Sequence, residues 1–169
     1  MKLAITDACI LIDLHKLQLT IPFFELSIEV HTSLDVYNEL DDDQKQLLLA
    51  FRSVGKFTIH SIQEKERLAI HQGPYSKGLS EADKTALFLA DQLNAMILSS
   101  DKTVRKHAKN NAIEYHGMLW ILDELVLSFK ISKAEASAKL KQLIDDNQFY
   151  QNNLELCSEI DKRIQTWNS

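Results

Sequence analysis

Long hydrophobic runs are missing from this 169-residue chain. None approaches the roughly 20 apolar residues of a membrane-spanning helix. The N-terminus carries no basic cap followed by an apolar signal core. Both absences lead to the expectation of a cytoplasmic protein with no membrane partner. Cysteine is scarce too: Cys9 and Cys157 stand far apart, with no Cys-x-x-Cys and no Cys/His zinc spacing. Cys9 lies in an apolar run and is expected to be a buried reduced thiol. The six histidines are scattered and read as structural or surface groups. Four glycines supply no phosphate-cradling loop, which argues against a nucleotide-binding domain. There is no basic excess either. Nineteen Lys and Arg against 24 Asp and Glu leave a net charge of −5, unlike a protein that coats nucleic acid by bulk electrostatics. An enzyme acting on nucleic acid stays open, because a bound divalent cation reverses the field of clustered carboxylates.

What is present is an ordinary globular composition, 45% hydrophobic and 25% charged. Leu3-Ala4-Ile5 is too short for a helix and reads as a buried central strand ending at Asp7. A helix over Ala8 to Lys16 follows at once, so Asp7 stands at the strand's carboxyl end, where open α/β sheets place their ligands. A short helix is expected near Pro22, and a strand over Ile28 to His31. Thr32 and Ser33 are cap types for a helix carrying Val36 and Leu40 on one face, with Glu39 at its border. Asp41-Asp42-Asp43 starts another helix. A strand over Lys56 to Ile62, a polar helix to His71 and a loop at Gly73 to Gly78 come next. Ser80 caps a helix to Leu93, Ala95 to Leu98 is a strand, and Asp101 opens a helix to Asn110. Ile113 to Tyr115 is a fifth strand, before a helix from Gly117 to Phe129. Trp120 and Phe129 in that helix read as core or as contacts with a second copy of the chain. This alternation predicts an α/β fold, a three-layer α/β/α sandwich with a parallel sheet of about five strands. From Ser132 the pattern is purely helical, opened by a capping box at Ser132 to Glu135. The expected division is an α/β domain over 1–129 and a C-terminal helical extension over 130–169 packed on it.

Four carboxylates draw attention as a group. Singly, Asp7 and Asp101 are helix caps, Asp83 completes a capping box with Ser80, and Glu39 is a solvated charge. Together they converge. Asp7 and Asp101 lie just past the ends of predicted parallel strands. Asp83 precedes Leu87 by four residues and Ala90 by seven, which places it on an apolar stripe, where an unpaired carboxylate is costly. Such a cluster without basic partners repels itself unless a cation binds. Oxygen-only ligation points to Mg²⁺ or Mn²⁺, and the chemistry it suits is phosphodiester hydrolysis by water.

The stretches Ile5-Thr6-Asp7-Ala8-Cys9-Ile10-Leu11-Ile12-Asp13, Val36-Tyr37-Asn38-Glu39-Leu40, Leu79 to Leu87, Ile97 to Arg105 and Tyr115-His116-Gly117-Met118-Leu119 resemble, in order, those of PIN-domain proteins. The likeness is to the VapC-type toxin ribonucleases and related bacterial proteins. It covers about residues 1–125. It implies a five-stranded parallel sheet and a catalytic, metal-binding quartet of Asp7, Glu39, Asp83 and Asp101. Some relatives place a Glu in the third motif, so Glu81 is the alternative there. Spacing to the Ala86-to-Ala90 run favours Asp83. The family often has Thr-Ser after its first Asp, where this chain has Ala8-Cys9. Thr6, Ser99 and Ser100 are the hydroxyls that could substitute. Asp13 receives no catalytic role. The implied activity is divalent-metal-dependent endoribonuclease, with 5′-phosphate and 3′-hydroxyl products, as the toxin of a toxin–antitoxin pair. The implied partners are an RNA substrate and an antitoxin protein, with a homodimer as a further option.

Lys77, Lys102 and Arg105 are candidates for RNA phosphate contacts, Arg105 first because it lies four residues past Asp101 on one helix face. Two other classes compete. One is a PIN-fold binding or regulatory module without cleavage. The other is a receiver-like or phosphatase-like domain using Asp7 as phosphoryl acceptor. The second lacks its adjacent acidic pair or Asp-x-Asp, since Ala8-Cys9 follows Asp7.

Overall fold

The computed structural model describes residues 1–169, all but the side chain of Phe149. In chain order the elements are β1 (Lys2–Thr6), α1 (Ala8–Lys16), α2 (Thr20–Phe24), β2 (Ile28–Ser33), α3 (Leu34–Asn38), α4 (Asp42–Ser53), β3 (Phe57–His60) and α5 (Glu64–Gln72). There follow α6 (Glu81–Gln92), β4 (Met96–Leu98), α7 (Lys102–Asn110), β5 (Tyr115–His116), α8 (Met118–Leu127), α9 (Lys133–Asp146), α10 (Gln148–Gln151) and α11 (Leu154–Asn168). The fold is α/β. Its sheet runs β3-β2-β1-β4-β5, and every neighbouring pair is parallel. Contacts gather the chain into two compact units, Met1–Ile12 with Ser27–Met118, and Asp13–Leu26 with Leu119–Ser169.

The first unit holds the sheet. β1 is its middle strand, with Thr6 in register with Leu98 of β4 and Ala4 with Val30 of β2. A middle parallel strand is covered on both faces, so Ala4, Ile5 and Thr6 are buried consecutively with no alternation. Helix α6 packs on β1, β2 and β4. Its buried face combines the small residues Ala82, Thr85, Ala86 and Ala90 with Leu87 and Leu89. Cys9 corrects the expectation made for it: it is exposed. The buried stripe of α1 in this unit is Ile10 and Leu11, and the second helical residue falls off that stripe.

The second unit is helical, with α9, α10 and α11 packed on one another around Leu140, Leu143, Tyr150, Ile160 and Trp167. Arg163 of α11 grips Asp123 of α8 through Nε and Nη2, at 2.8–3.1 Å. Ser132 caps α9 by accepting the Glu135 N–H at 3.0 Å, without the reciprocal bond of a full capping box. Phe129 is 93% exposed, so the core reading for it is set aside.

Glycine scarcity shows at the helix ends. α1, α6, α7 and α8 stop at residues in the left-handed region, Gln18, Asn94, Ala112 and Phe129, with φ of 51–57°. Each is followed by a closing bond, as in Ala95 N–H to Ala90 C=O at 2.8 Å and Ile113 N–H to Ala108 C=O at 2.9 Å. Only α4 uses glycine there, Gly55 at φ 77°. The Ala112 stop also explains why β5 begins at Tyr115 and not at Ile113: Ile113 is still engaged in closing α7.

Candidate active site

Asp7 extends the pairing of the middle strand by one step, its N–H donating to the Leu98 carbonyl at 3.2 Å. Its side chain is buried at 1% residue exposure. One carboxylate oxygen accepts the Ile10 N–H at 3.0 Å and so caps α1. The other accepts a short hydrogen bond from the Ser99 hydroxyl. Ser99 follows β4, the strand beside β1, and its Oγ also accepts the Asp101 N–H at 3.0 Å. Asp101 in turn caps α7, accepting from Thr103 N–H at 2.8 Å and Val104 N–H at 3.1 Å. The capping roles of Asp7 and Asp101 are therefore real, and one buried hydroxyl joins the two residues across adjacent strand ends.

The other two carboxylates come from helices. Asp83 is the third residue of α6 and completes a capping box: its Oδ2 accepts the Ser80 N–H at 3.2 Å, and Ser80 Oγ accepts the Asp83 N–H at 3.1 Å. Its charge is felt at both Asp7 and Glu39. Glu39 ends α3 and is exposed. Glu81 is engaged elsewhere, with Arg67 at 3.2 Å and His71 at 3.4 Å. Two connections that the sequence did not reveal hold α3 against α6. Ser33, the cap of α3, bonds Thr85 of α6 at 2.7 Å, and Thr85 donates to the Ala82 carbonyl. Arg67 of α5 forks onto Asp35 of α3 at 2.8 and 2.9 Å while also reaching Glu81. No periodicity or motif marks Arg67; its partners are two acidic residues in the first turns of their helices, where acids are ordinary.

Burial pushes the Asp7 carboxyl up to about 7; bonds from Ser99 and the Ile10 N–H pull it down, and the charges of Asp83 and Asp101 push it up further. Glu39 is also held above the usual carboxylate range, first by partial burial, then by Asp83 and Asp35. Repulsion within the quartet is thus present, but at both residues it ranks behind desolvation.

A hard divalent cation fits this donor set in kind. The donors are carboxylate and hydroxyl oxygens, one carboxylate is fully buried, and among the described residues no Lys, Arg or His forms an ion pair with any of the four. In position the four are not yet a cage. No group of three or more His, Cys, Asp or Glu side chains is placed to hold an ion among the described residues. The four carboxylates, expected within reach of one or two ions, are thus not drawn into such a group in this arrangement. The physical reason is visible: Asp83 and Asp101 each turn an oxygen onto their own helix N-terminus, and Glu39 is exposed.

Of the other hydroxyls, Thr6 donates to the Asp7 backbone carbonyl at 3.1 Å, and Ser100 is half-buried. Lys77 is exposed on a loop that rests on α7: Tyr75 stacks on His107 with ring centroids 4.9 Å apart, and Gly78 faces Thr103. Lys102 is exposed at the start of α7, and Lys106 and Lys109 are exposed further along it. Arg105 turns inward, donating to the Ser99 carbonyl at 3.0 Å.

Comparison with known proteins adds three findings. A family model described as PIN domain matches residues 3–165. Among solved structures, the chain is similar to a PilT N-terminus domain protein from the hyperthermophilic archaeon Sulfolobus solfataricus P2. The identity is 14% over 73% of this chain and 93% of that one, with a TM-score of 0.47. No curated protein matches.

Proposed function

This chain belongs to the PIN-domain family, and on that premise we propose that it is a divalent-metal-dependent endoribonuclease. PIN domains are generally nucleases that use divalent metals, and the finer reading adds RNA as substrate, Mg²⁺ or Mn²⁺ as the ion, and hydrolysis as the reaction. The observation that carries it is the Asp7–Ser99–Asp101 linkage at the ends of adjacent parallel strands. It keeps a buried carboxylate without a basic partner, beside further carboxylates. Asp7 and Asp101 would hold the ion, with Glu39 and Asp83 completing its surroundings. When bound, the ion supplies Lewis-acid polarisation of the phosphate and activation of water at neutral pH. The chain's own groups do the rest. Ser99 orients Asp7 through its hydroxyl and fixes the Asp101 backbone. Lys77 and Lys102, with Lys106 and Lys109 further along the same helix, offer exposed ammonium groups to RNA phosphates.

The biological setting belongs to the same proposal: the toxin of a toxin–antitoxin pair, restrained by an antitoxin protein, acting in the cytoplasm. No helix among the described residues is long and apolar enough to cross a membrane. The test is cleavage of RNA with Mg²⁺ or Mn²⁺, with and without EDTA, comparing wild type with Asp7→Asn and Asp101→Asn. The expected result is metal-dependent cleavage leaving 5′-phosphate ends, lowered by several orders of magnitude in Asp7→Asn. Cleavage in EDTA, 2′,3′-cyclic phosphate products or full activity in Asp7→Asn would overturn it. RNA binding without cleavage would instead establish the binding-module alternative.

A further inference from the structure

Arg105 lies one turn into α7, where its spacing from Asp101 suggested an outward phosphate contact. Three observations place it otherwise. Its Nη1 donates to the Ser99 carbonyl at 3.0 Å. Its guanidinium lies over the Tyr115 ring of β5, 5.0 Å from the centroid. A Cβ added at Gly117 would come within 2.9 Å of Nη1 and 3.4 Å of the Ser99 carbonyl oxygen, so the bare backbone there makes room for the guanidinium. No carboxylate pairs with Arg105 among the described residues.

Ser99 is thereby held at every polar group. Its N–H donates to the His116 carbonyl at 2.9 Å, its C=O accepts from Arg105, and its hydroxyl connects Asp7 with the Asp101 N–H. Ser99 is fully buried with Arg105 in place, and losing Arg105 takes a charged donor from its carbonyl. The peptide after Ser99 would then turn to find another donor, and the hydroxyl linking the Asp7 carboxylate to the Asp101 N–H would move with it.

We propose that Arg105, clamped between the Ser99 carbonyl, the Tyr115 ring and Gly117, is a positioning residue that fixes the Asp7–Ser99–Asp101 linkage for cation binding, and is not a contact to RNA. This rests on the metal-dependent reading above. Partners that orient a metal's ligands typically change affinity or activity about 10–100-fold when removed. Lysine at 105 can donate one hydrogen bond to the carbonyl but cannot lie flat on Tyr115. Alanine at 117 displaces the flexible guanidinium end and leaves Arg105 itself in the chain.

The experiment compares wild type, Arg105→Ala, Arg105→Lys and Gly117→Ala in two measurements. One is binding of Mn²⁺ without RNA, followed by the electron paramagnetic resonance of the free ion. The other is steady-state RNA cleavage. Arg105→Ala should weaken Mn²⁺ binding by about 10-fold or more and lower kcat, with KM for RNA unchanged. Arg105→Lys should recover part of both, and Gly117→Ala should reproduce the loss in milder form, which keeps the test valid if Arg105→Ala does not fold. A raised KM with unchanged kcat and Mn²⁺ affinity would return Arg105 to a phosphate contact and overturn the proposal. Equal Mn²⁺ affinity in wild type and variants would overturn it while leaving the metal-dependent reading intact. A wild type that binds no Mn²⁺ would overturn both.

Discussion

The quartet divides into two pairs built on different principles. Asp7 and Asp101 come from the ends of adjacent strands in the middle of a sheet, and a single buried hydroxyl joins them. Glu39 and Asp83 come from the end of a short helix and the first turn of another, and reach each other only through space. The first pair is set by the ends of two paired strands and by the Ser99 hydroxyl just past them. The second is set by how α3 and α6 lean together, through Ser33–Thr85 and the Arg67 fork. One pair is preorganised and the other adjustable, a division that would suit the metal-dependent activity proposed above.

Removing the charge of the fixed pair should give the largest effect. Asp7 binds its proton more tightly in the folded chain than its ordinary value of 3.8 allows. Stability of the metal-free protein from this group is therefore fully present below about pH 4 and lost as pH rises toward about 7. A shift from 3.8 to about 7 amounts to roughly 4 kcal/mol at about 1.4 kcal/mol per pH unit. Denaturant unfolding of wild type and Asp7→Asn in EDTA, from pH 4 to pH 8, should show the variant gaining on wild type across that window. A constant difference between them would mean that Asp7 is not strained by its burial.

Next in size are the two hydroxyl bridges. Ser99→Ala strands a buried carboxylate oxygen and the Asp101 N–H, and should cost about 1–3 kcal/mol and about 10–100-fold in Mn²⁺ affinity. Thr85→Ala removes the corresponding bridge of the adjustable pair, and should cost about 1 kcal/mol with little change in Mn²⁺ affinity. Equal losses of affinity in the two variants would erase the distinction between the pairs. Smaller still is Arg67→Ala. Its ion pairs with Asp35 and Glu81 are about a fifth to two-fifths exposed, so stability should fall by under about 1 kcal/mol, less at high salt. Cleavage should fall less than in Ser99→Ala. Least of all for the site is Ala112→Gly, which relieves a left-handed alanine (φ 56°) at the end of α7. It should raise stability by about 1 kcal/mol without altering cleavage.

The fixed pair was legible in the sequence because its signal is local: an apolar run too short for a helix, stopped by a carboxylate. The same signal marked the α/β alternation and the sheet's middle strand. Which hydroxyl would join the pair was not legible. Thr6, Ser99 and Ser100 all flank the strand ends, and only the register of β1 on β4 selects Ser99. The inward turn of Arg105 onto the Ser99 carbonyl was not legible either, because an i, i+4 spacing to Asp101 shows the helix face, not the direction a long side chain bends. Cys9 misled because a run of apolar letters hid a helix with one buried side. The Arg67 fork joins three helices through residues that each look like solvated charge, so no local pattern could have revealed it.

The central position of β1 has a consequence in time. Synthesis delivers Asp7 before β4, so one edge of β1 stays unpaired until Met96 to Leu98 arrive, and Asp101 follows only then. A chain still being made beyond Asp83 but short of β4 owns three of the four carboxylates and neither Ser99 nor a complete sheet. Pairing across some 90 residues is also among the slower events of folding. Any activity that needs the Asp7–Ser99–Asp101 linkage is thereby withheld from the nascent chain, a delay written into strand order alone.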